Sequence, residues 1–287
     1  MELLQEWFGY CLTPDTRQHK MLMLVGPKRA GKGTIGRILT AILGEQNVAG
    51  PTLSDLASNF GLWPLIGKPL AIVPDARLSG RQNLAQITER LLAISGEDYL
   101  TIDRKHQEQV TLKLKTRIML ITNELPWLGD SSGALANRFL ILSFTESFLG
   151  KENINLTDTL LEELPGILLW AIEGRQRLLK RGHFVQPKSV AQELEELEDL
   201  SSPIRVYVRE RLIIGPGHTV TVDNIYQDYR GWCEKNGSRS PSRREVFCRD
   251  LRAVLPKGIG IINRRSGKKR FRVYKGIGLK DGPAGKF

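Results

Sequence analysis

The sequence contains few cysteines and no apolar run long enough to cross a membrane. Its three cysteines, Cys11, Cys233 and Cys248, form no CxxC pair, and its four histidines are scattered. We therefore expect neither disulfides nor a zinc site. The first ten residues, MELLQEWFGY, lack the order of basic, apolar and small residues that defines a signal peptide. These absences predict a cytoplasmic protein without a membrane partner.

Positive charge is abundant and unevenly distributed along the chain. The net charge is +11, yet residues 203–287 hold 20 Lys and Arg against 7 Asp and Glu, whereas residues 1–202 hold 22 against 24. Aromatic residues are interleaved with the C-terminal basic ones, among them Tyr226, Tyr229, Trp232, Phe247, Phe271 and Tyr274. This combination favours a folded nucleic-acid-binding surface, and the alternative is a basic face that only confers solubility.

A buried strand, a glycine-rich loop and a helix are predicted in succession near the N-terminus. Gly26, Gly31 and Lys32 have the spacing of a Walker A loop, between apolar residues 21–25 and apolar residues at helical spacing. Such a loop binds phosphate through its backbone N–H groups, the helix N-terminus and the lysine, whereas the alternative is a chance glycine turn. The predicted nucleotide-binding residues are Gly26, Pro27, Lys28, Arg29, Ala30, Gly31, Lys32, Gly33 and Thr34.

One position departs from the Walker A pattern. Gly33 stands where the Ser or Thr that binds magnesium normally sits, and Thr34 comes one residue later. Either Thr34 supplies the hydroxyl or the metal is held through water. The expected cofactors are ATP and Mg²⁺.

Polar residues follow the next two predicted buried strands, at Asp75 after residues 70–73 and at Asn123 after residues 118–121. In P-loop NTPases an acid here holds magnesium, usually through water, and a second acid orients the attacking water. Only Asp75 is available, so which of the two roles it has is open. Asn123 can hydrogen-bond the attacking water or the γ-phosphate. The alternatives are a cap or turn at Asp75 and an Asx-turn at Asn123.

Two alternating segments, 99–102 and 110–114, predict a β-hairpin with a basic tip. Arg104, Lys105 and His106 in this tip either contact a phosphate backbone or are simply solvated. Arg138 directly precedes a fourth apolar strand, residues 139–144. It either caps that strand or acts as an arginine finger on a neighbouring subunit's nucleotide.

The series GPKRAGKGT, AIVPDAR, SGEDYLTIDRK, IMLITNELP and ANRF resembles the successive motifs of superfamily 3 helicases, specifically the helicase part of the phage and plasmid primase family. The resemblance spans about residues 1–180. It implies an AAA+-like ATPase that forms a ring, usually a hexamer, and moves 3′ to 5′ along single-stranded DNA. It also implies that Lys32 and Thr34 are Walker A residues, Asp75 the motif B acid and Asn123 the sensor, with Arg104 and Lys105 in the pore hairpin and Arg138 as the finger.

The sequence also departs from that family. Many members have two adjacent acids at motif B, so the single Asp75 leaves the catalytic base unidentified. Members normally carry a longer helical region before the P-loop, and primases a polymerising domain before that. We therefore expect no priming activity from this chain, and a separate primase is a candidate partner.

We predict an α/β fold: an AAA+-like P-loop ATPase with a parallel sheet over residues 1–181, a charged linker over 182–202, and a small winged-helix domain over 203–287. Apolar helical residues 155–179 are expected to close the ATPase core. The C-terminal order of helix, strand, helix, helix and two strands is that of a winged helix. Its predicted DNA-binding residues are Arg243, Arg244, Arg249, Arg264, Arg265, Lys268, Lys269 and Arg270, and binding is expected to depend steeply on salt.

Three functions are compatible with the sequence. The first is an ATP-dependent DNA helicase of a phage, prophage or plasmid, acting in the cytoplasm of a bacterial host. The second is a DNA-binding replication or regulatory factor whose weakened ATPase serves as an assembly switch. The third, a nucleoside monophosphate kinase, depends only on the GKGT end of the P-loop and accounts for neither the basic C-terminus nor Asn123.

Overall fold

The computed structural model describes residues 1–76, 84–126, 133–236, 241–256, 258–266 and 269–280. These residues divide into two compact units. The first ends at Leu200, and the second begins at Ser201 and includes Gly133. In the described part of the chain, no helix is both long and apolar enough to cross a bilayer.

The first unit combines helices with a parallel sheet and a separate hairpin. Its helices are α1 (Glu2–Cys11), α2 (Lys32–Leu43), α3 (Leu53–Ala57), α4 (Leu84–Ser95), α5 (Leu156–Glu162), α6 (Leu164–Arg181) and α7 (Ala191–Ser201). Its strands are β1 (Met21–Val25), β2 (Val48–Ala49), β3 (Leu70–Val73), β4 (Tyr99–Arg104), β5 (Gln107–Lys113), β6 (Arg117–Thr122) and β7 (Phe139–Ser143).

Five strands form the parallel sheet in the order β2-β3-β6-β1-β7. Leu22 of β1 is paired with Met119 of β6 on one side and with Leu140 of β7 on the other. All five residues of β1 are buried, which is typical of a parallel strand covered on both faces of its sheet. The predicted mixed α/β fold with a parallel sheet is therefore confirmed.

Successive residues of β1 belong to two different cores, because side chains alternate between the faces of a strand. Met21, Met23 and Val25 pack in the core that includes residues of α3, α4 and the β4–β5 hairpin. Leu22 and Leu24 pack in the core that includes residues of α1, α2 and α6. The apolar run that predicts this strand thus supplies both faces of the sheet.

Helices α1 and α6 contact each other at two glycines. A Cβ atom added to Gly9 would lie 2.2 Å from the carbonyl oxygen of Ala171, and one added to Gly174 would lie 2.3 Å from that of Gln5. Beside this contact the buried carboxylate of Glu6 pairs with Arg177 and Arg181 of α6. Backbone proximity and two ion pairs therefore fix how these helices cross.

The apolar segment 155–179 is helical, but it closes the core less completely than predicted. It is divided between α5 and α6, and only Ala171, Gly174 and Leu178 of α6 are fully buried. Leu169 and Leu179 keep 63% and 57% of their surface exposed. Part of this helix face is thus left on the surface of the first unit.

The stretch 182–202 is not a linker as predicted. Most of it folds with the first unit, where Val190 and Leu197 of the region around α7 are buried in the same core as β1. The acidic residues of ELEELEDL therefore belong to one face of an amphipathic helix. Their charge density misleads a prediction that equates high charge with a linker.

The second unit contains three helices and a three-stranded sheet. Its elements are α8 (Pro203–Arg211), β8 (Leu212–Thr221), α9 (Val222–Lys235), α10 (Arg244–Val254), β9 (Gly260–Ser266) and β10 (Lys269–Leu279). The strands are antiparallel in the order β8-β10-β9. Strand β8 is longer than the predicted segment because it begins directly after α8.

The interleaved aromatic residues of this unit form its core. Tyr229 stacks on Phe247 with ring centroids 4.4 Å apart, and the buried Tyr207 meets Tyr229 edge-on at 5.2 Å. Tyr274 is fully buried, and Trp232 packs against the same cluster. These rings stabilise the fold, so their spacing among basic residues does not indicate a surface for stacking on bases.

Candidate nucleotide-binding site

The glycine-rich loop connects β1 to α2, as predicted. Gly26 has a φ of +150°, and a Cβ atom there would lie 2.3 Å from the carbonyl oxygen of Phe144. Gly31 is the N-cap of α2 with a φ of +85°, and a Cβ atom there would contact no atom within 4 Å. The first glycine therefore allows close packing behind the loop, and the second allows the turn that starts the helix.

The side chain of Lys32 is turned into this loop. Its residue is only 6% exposed, and its Nζ donates to the carbonyl oxygens of Gly26 at 2.6 Å and Pro27 at 2.7 Å. It also donates to Oδ1 of Asn123 at 3.3 Å. Burial lowers the pKa of Lys32 from its ordinary value, because the charged form loses solvation. A phosphate group would restore the favourable environment of that charge.

The carboxyl ends of β1, β6 and β3 bring three predicted site residues to the same edge of the sheet. The P-loop follows β1, Asn123 follows β6, and Asp75 follows β3. The backbone N–H of Ala76 donates to the carbonyl oxygen of Ile121 at 2.9 Å, which keeps Asp75 beside the end of β6. Lys32 and Asn123 are in direct contact, and Asp75 lies at the end of the next strand, about 5 Å further along the sheet.

The hydroxyl of Thr34 does not point freely toward the loop. Its Oγ1 accepts a hydrogen bond from Nη2 of Arg37 at 3.0 Å, and Arg37 also donates to Thr157 of α5. Metal binding by Thr34 stays a prediction. A metal ion bound there would compete with Arg37 for Oγ1 of Thr34. Arg37 itself was not predicted as a site residue, although its position four residues after Gly33 places both on one face of α2.

A segment after β7 lies against the P-loop and was not predicted either. The N–H of Phe148 donates to the carbonyl oxygen of Arg29 at 3.2 Å, and Ser147 Oγ donates to that of Lys28 at 2.8 Å. Arg29 also pairs with Glu152 at 3.4 Å. The two segments are more than one hundred residues apart in the sequence, so no local pattern predicts their contact.

A cavity of about 460 Å³ begins at the P-loop and follows α2. Gly33, Gly36 and Arg37 line its helix wall, while Ile72 and Ile121 of the sheet and Thr157 of α5 line the rest. Its walls are mainly apolar, and two charged residues, Arg37 and Glu45, lie among them.

The residues present fit a triphosphate and one hydrated magnesium ion. The open space at Gly31 and the inward-turned ammonium of Lys32 can hold phosphate. Among the described residues, no three His, Cys, Asp or Glu side chains form a metal cluster. The predicted role of Asp75 is to hold Mg²⁺ together with phosphate oxygens and water, which is the usual manner for this ion.

Arg138 is not part of this edge. Phe139, the next residue, is paired with Met21 at the start of β1, whereas the P-loop follows Val25 at its end. Nη1 of Arg138 lies 3.5 Å from Oγ of Ser95 at the end of α4. The structure thus separates Arg138 from Lys32, Asn123 and Asp75 of the same chain.

The predicted hairpin forms from β4 and β5, with a turn at Lys105 and His106. His106 has a φ of +58°, and both turn residues are exposed. The Nε of Arg104 donates to the carbonyl oxygen of Glu108 at 3.1 Å, which holds that side chain along the hairpin. The three predicted DNA-binding residues are therefore together at one tip.

The predicted basic residues of the second unit differ in their pairing. Arg244 pairs with Asp223 at 2.7 Å and Arg249 with Asp250 at 2.8 Å, while Arg243 is the exposed N-cap of α10. In the β9–β10 ladder, the exposed Arg265 and Arg270 stand directly opposite each other. Arg264 is exposed on the same strand as Arg265, Lys269 begins β10, and Lys268 lies outside the described residues.

Comparison with known proteins gives two kinds of likeness. The sequence profile of the family of unknown function DUF5906 matches residues 24–138, from the P-loop strand to Arg138 and under half of the chain. Two solved structures of the C-terminal region of NrS-1 without ligand each have a TM-score of 0.55 and 14% identity. They cover 95% and 96% of this chain, and the match covers 71% of each of those chains.

A structure of JCV helicase with a bound substituted acetamide has a TM-score of 0.36 and 18% identity. The match covers 69% of this chain and 59% of that one and is too weak to support a conclusion. The likeness to NrS-1 concerns the fold, and it extends over residues of both units because nearly the whole chain is matched. This chain therefore shares its α/β fold with the C-terminal region of NrS-1.

Proposed function

We propose that this chain is an ATP-dependent DNA helicase or translocase of the superfamily 3 type, with an AAA+-like P-loop ATPase and a winged-helix DNA-binding domain. The observation that carries the proposal is the contact between Lys32 and Asn123 at the carboxyl edge of the sheet, beside Asp75. The order of motifs along the sequence supports it, because the same series resembles that helicase superfamily.

The ATPase chemistry follows from the side chains at this edge. Bound ATP and Mg²⁺ supply the phosphoanhydride bond and the charge that neutralises the developing anion. Lys32 exchanges the carbonyl oxygens of Gly26 and Pro27 for phosphate oxygens. Asn123 uses its Oδ1 toward Lys32, which leaves its Nδ2–H donors for the γ-phosphate or the attacking water. Asp75 holds the hydrated metal or orients that water.

The second unit is proposed to bind DNA through phosphates. Its helix, strand, helix, helix, strand, strand order is that of a winged helix, with α10 and the β9–β10 hairpin as the contacting elements. Arg265 and Arg270 lie directly opposite each other in the antiparallel ladder and are exposed, so this hairpin presents a basic surface. DNA phosphates are the complementary ligand, so binding depends on salt more than on sequence.

The assembled protein is proposed to be a homo-oligomeric ring, a hexamer by resemblance. Arg138 of one subunit then acts on the nucleotide of its neighbour, and the hairpin tip with Arg104, Lys105 and His106 contacts single-stranded DNA in the pore. A phage, prophage or plasmid is the proposed source, with the cytoplasm of a bacterial host as the site of action and a separate primase as a partner.

Replacement of Lys32 tests the nucleotide site. We expect the Lys32→Ala variant to lose ATP hydrolysis and most of its ATP affinity, because the buried ammonium is the phosphate ligand nearest the loop. Lys115→Ala removes the same charge from an exposed loop and serves as the matched control. Equal ATP binding by the Lys32→Ala variant and its control, measured by titration calorimetry, would contradict the proposal.

A DNA-binding replication or regulatory factor with a weak ATPase is the second candidate. The absence of a second acid beside Asp75 and of a side chain at Gly33 favours it. A helicase shows DNA-stimulated ATP turnover and unwinds a tailed duplex. An assembly switch binds ATP and changes its oligomeric size, yet leaves the duplex intact. Both measurements on the full chain decide between the two.

A further inference from the structure

The side chain of Arg37 lies beside Gly33, the position at which a Walker A loop normally has its hydroxyl. A Cβ atom added to Gly33 would lie 3.5 Å from Nη1 of Arg37, and, apart from its chain neighbours and the local helix backbone, no other described atom would lie within 4 Å. The side chain of Arg37 reaches this place because long helical side chains point back toward the N-terminus of their helix. The space in which a Ser or Thr would present its oxygen to a metal therefore borders a guanidinium.

The guanidinium is held in place by neutral groups only. Its Nε and Nη2 donate to Oγ1 of Thr157 at 3.2 and 3.1 Å, and Nη2 also donates to Oγ1 of Thr34 at 3.0 Å. Within the described part of the chain, Arg37 forms no ion pair, and Nη1 has no hydrogen-bond partner. The nitrogen that faces Gly33 thus keeps its two N–H donors for a ligand.

The surroundings show what this charge can bind. Arg37 is exposed and lines the cavity that begins at Gly33, whose walls are mainly apolar apart from Arg37 and Glu45. Gly33 lies in the first turn of α2, where the helix N-terminus and Lys32 already favour an anion. An anion held by the P-loop is therefore the group that can complete the coordination of Nη1.

We propose that Arg37 contacts the terminal phosphates of the bound nucleotide and supplies the positive charge that the hydroxyl of a Walker A loop supplies through its metal. This inference rests on the proposed nucleotide site and adds a binding residue to it. Gly33 is then required because a larger residue would separate Arg37 from the phosphates. The binding of ATP by this chain depends less on Mg²⁺ than binding by a loop with the hydroxyl does.

A purely structural role makes a different prediction. If Arg37 only connects α2 to α5, then its loss and the loss of Thr157 lower thermal stability alike and leave nucleotide affinity unchanged. Arg37→Gln removes the charge but keeps hydrogen-bonding capacity, and Thr157→Val removes the contact between helices but keeps the charge. The pair separates the two roles.

The test measures ATP affinity of the full chain by calorimetry, with Mg²⁺ and with EDTA, alongside thermal midpoints. We expect Arg37→Gln to weaken ATP binding about tenfold in both buffers, because a hydrogen bond between charged groups is lost. Thr157→Val keeps the charge but releases the guanidinium from one of its hydrogen-bond partners, so it is expected to weaken ATP binding less than Arg37→Gln does. The double variant Arg37→Gln/Gly33→Ser is expected to regain affinity only with Mg²⁺, since the new hydroxyl can serve a metal and not replace a cation.

Two results would overturn the inference. If the Arg37→Gln variant binds ATP as tightly as the unchanged protein in both buffers, then Arg37 has only a structural role. The proposed nucleotide site itself would not be contradicted by that result. Failure of the unchanged protein to bind ATP in either buffer would instead remove the proposed function, and the inference with it.

Discussion

At the scale of single residues, two glycines of the P-loop, Gly26 and Gly31, are required for different physical reasons. Gly26 combines a positive φ with a carbonyl oxygen directly behind it, whereas Gly31 has a positive φ and open space. A left-handed conformation costs an L-residue about 1–2 kcal/mol, but a Cβ atom at 2.3 Å from an oxygen cannot be accommodated without moving the backbone. The same substitution should therefore have unequal effects at the two positions.

We expect Gly31→Ala to destabilise the protein by about 1–2 kcal/mol and Gly26→Ala by more than that, because only the latter also displaces Phe144. Chemical unfolding of both variants measures the difference. Since the segment after β7 lies against the loop, Gly26→Ala should also weaken ATP binding. Equal unfolding free energies for the two variants would show that the close contact at Gly26 is absent in solution.

Sequence reasoning finds residues whose role is encoded by their neighbours in the chain. Lys32 and Asn123 each come after an apolar strand, so the sequence predicts both at one edge of the sheet. Arg37 could not be found in this way, because Thr157, which orients it, lies 120 residues away. The signal that was available is the single glycine at position 33, one helical turn before an arginine.

At the scale of elements, α1 and α6 can cross at close range because glycine, which has no Cβ atom, occupies the contact positions. Gly9 and Gly174 let the two backbones approach, and the buried Glu6 then pairs with cations of α6. The apolar pattern predicts both helices, but not that they touch at glycine. Likewise the acidic pattern around α7 predicts a solvated segment, while two apolar residues on its hidden face attach it to the core.

Two glycines of the same helix provide a matched test of this contact. We expect Gly174→Ala to destabilise the protein by about 3 kcal/mol, because its Cβ atom would lie 2.3 Å from the carbonyl oxygen of Gln5. Gly166→Ala meets no atom within 4 Å and should stabilise α6 by up to about 1 kcal/mol. Thermal unfolding followed by circular dichroism compares them, and a similar shift in both variants would contradict backbone contact between α1 and α6.

At the scale of the whole molecule, the position of Arg138 bears on the proposed homo-oligomer. The strand pairing places it beside the start of β1, about 15 Å of strand length from the P-loop that follows the end of β1. An arginine that acts on a γ-phosphate must approach it to hydrogen-bond distance. If Arg138 acts on a nucleotide, as proposed, then that nucleotide belongs to another subunit. The alternative is that Arg138 stabilises the start of β7 through Ser95.

Mixing two inactive variants decides between these roles. We expect Arg138→Ala to bind ATP normally and to hydrolyse it about 1000-fold more slowly, as loss of an arginine finger does. A mixture with Lys32→Ala should recover activity, because about a quarter of the subunit interfaces then join an intact P-loop to an intact Arg138. If Arg138 only supports its own strand, one of two other results is expected. Either the mixture of the two variants stays inactive, or the Arg138→Ala variant hydrolyses ATP normally by itself. The recovered turnover, measured against protein concentration, therefore reports both the partner subunit and the residue it contributes.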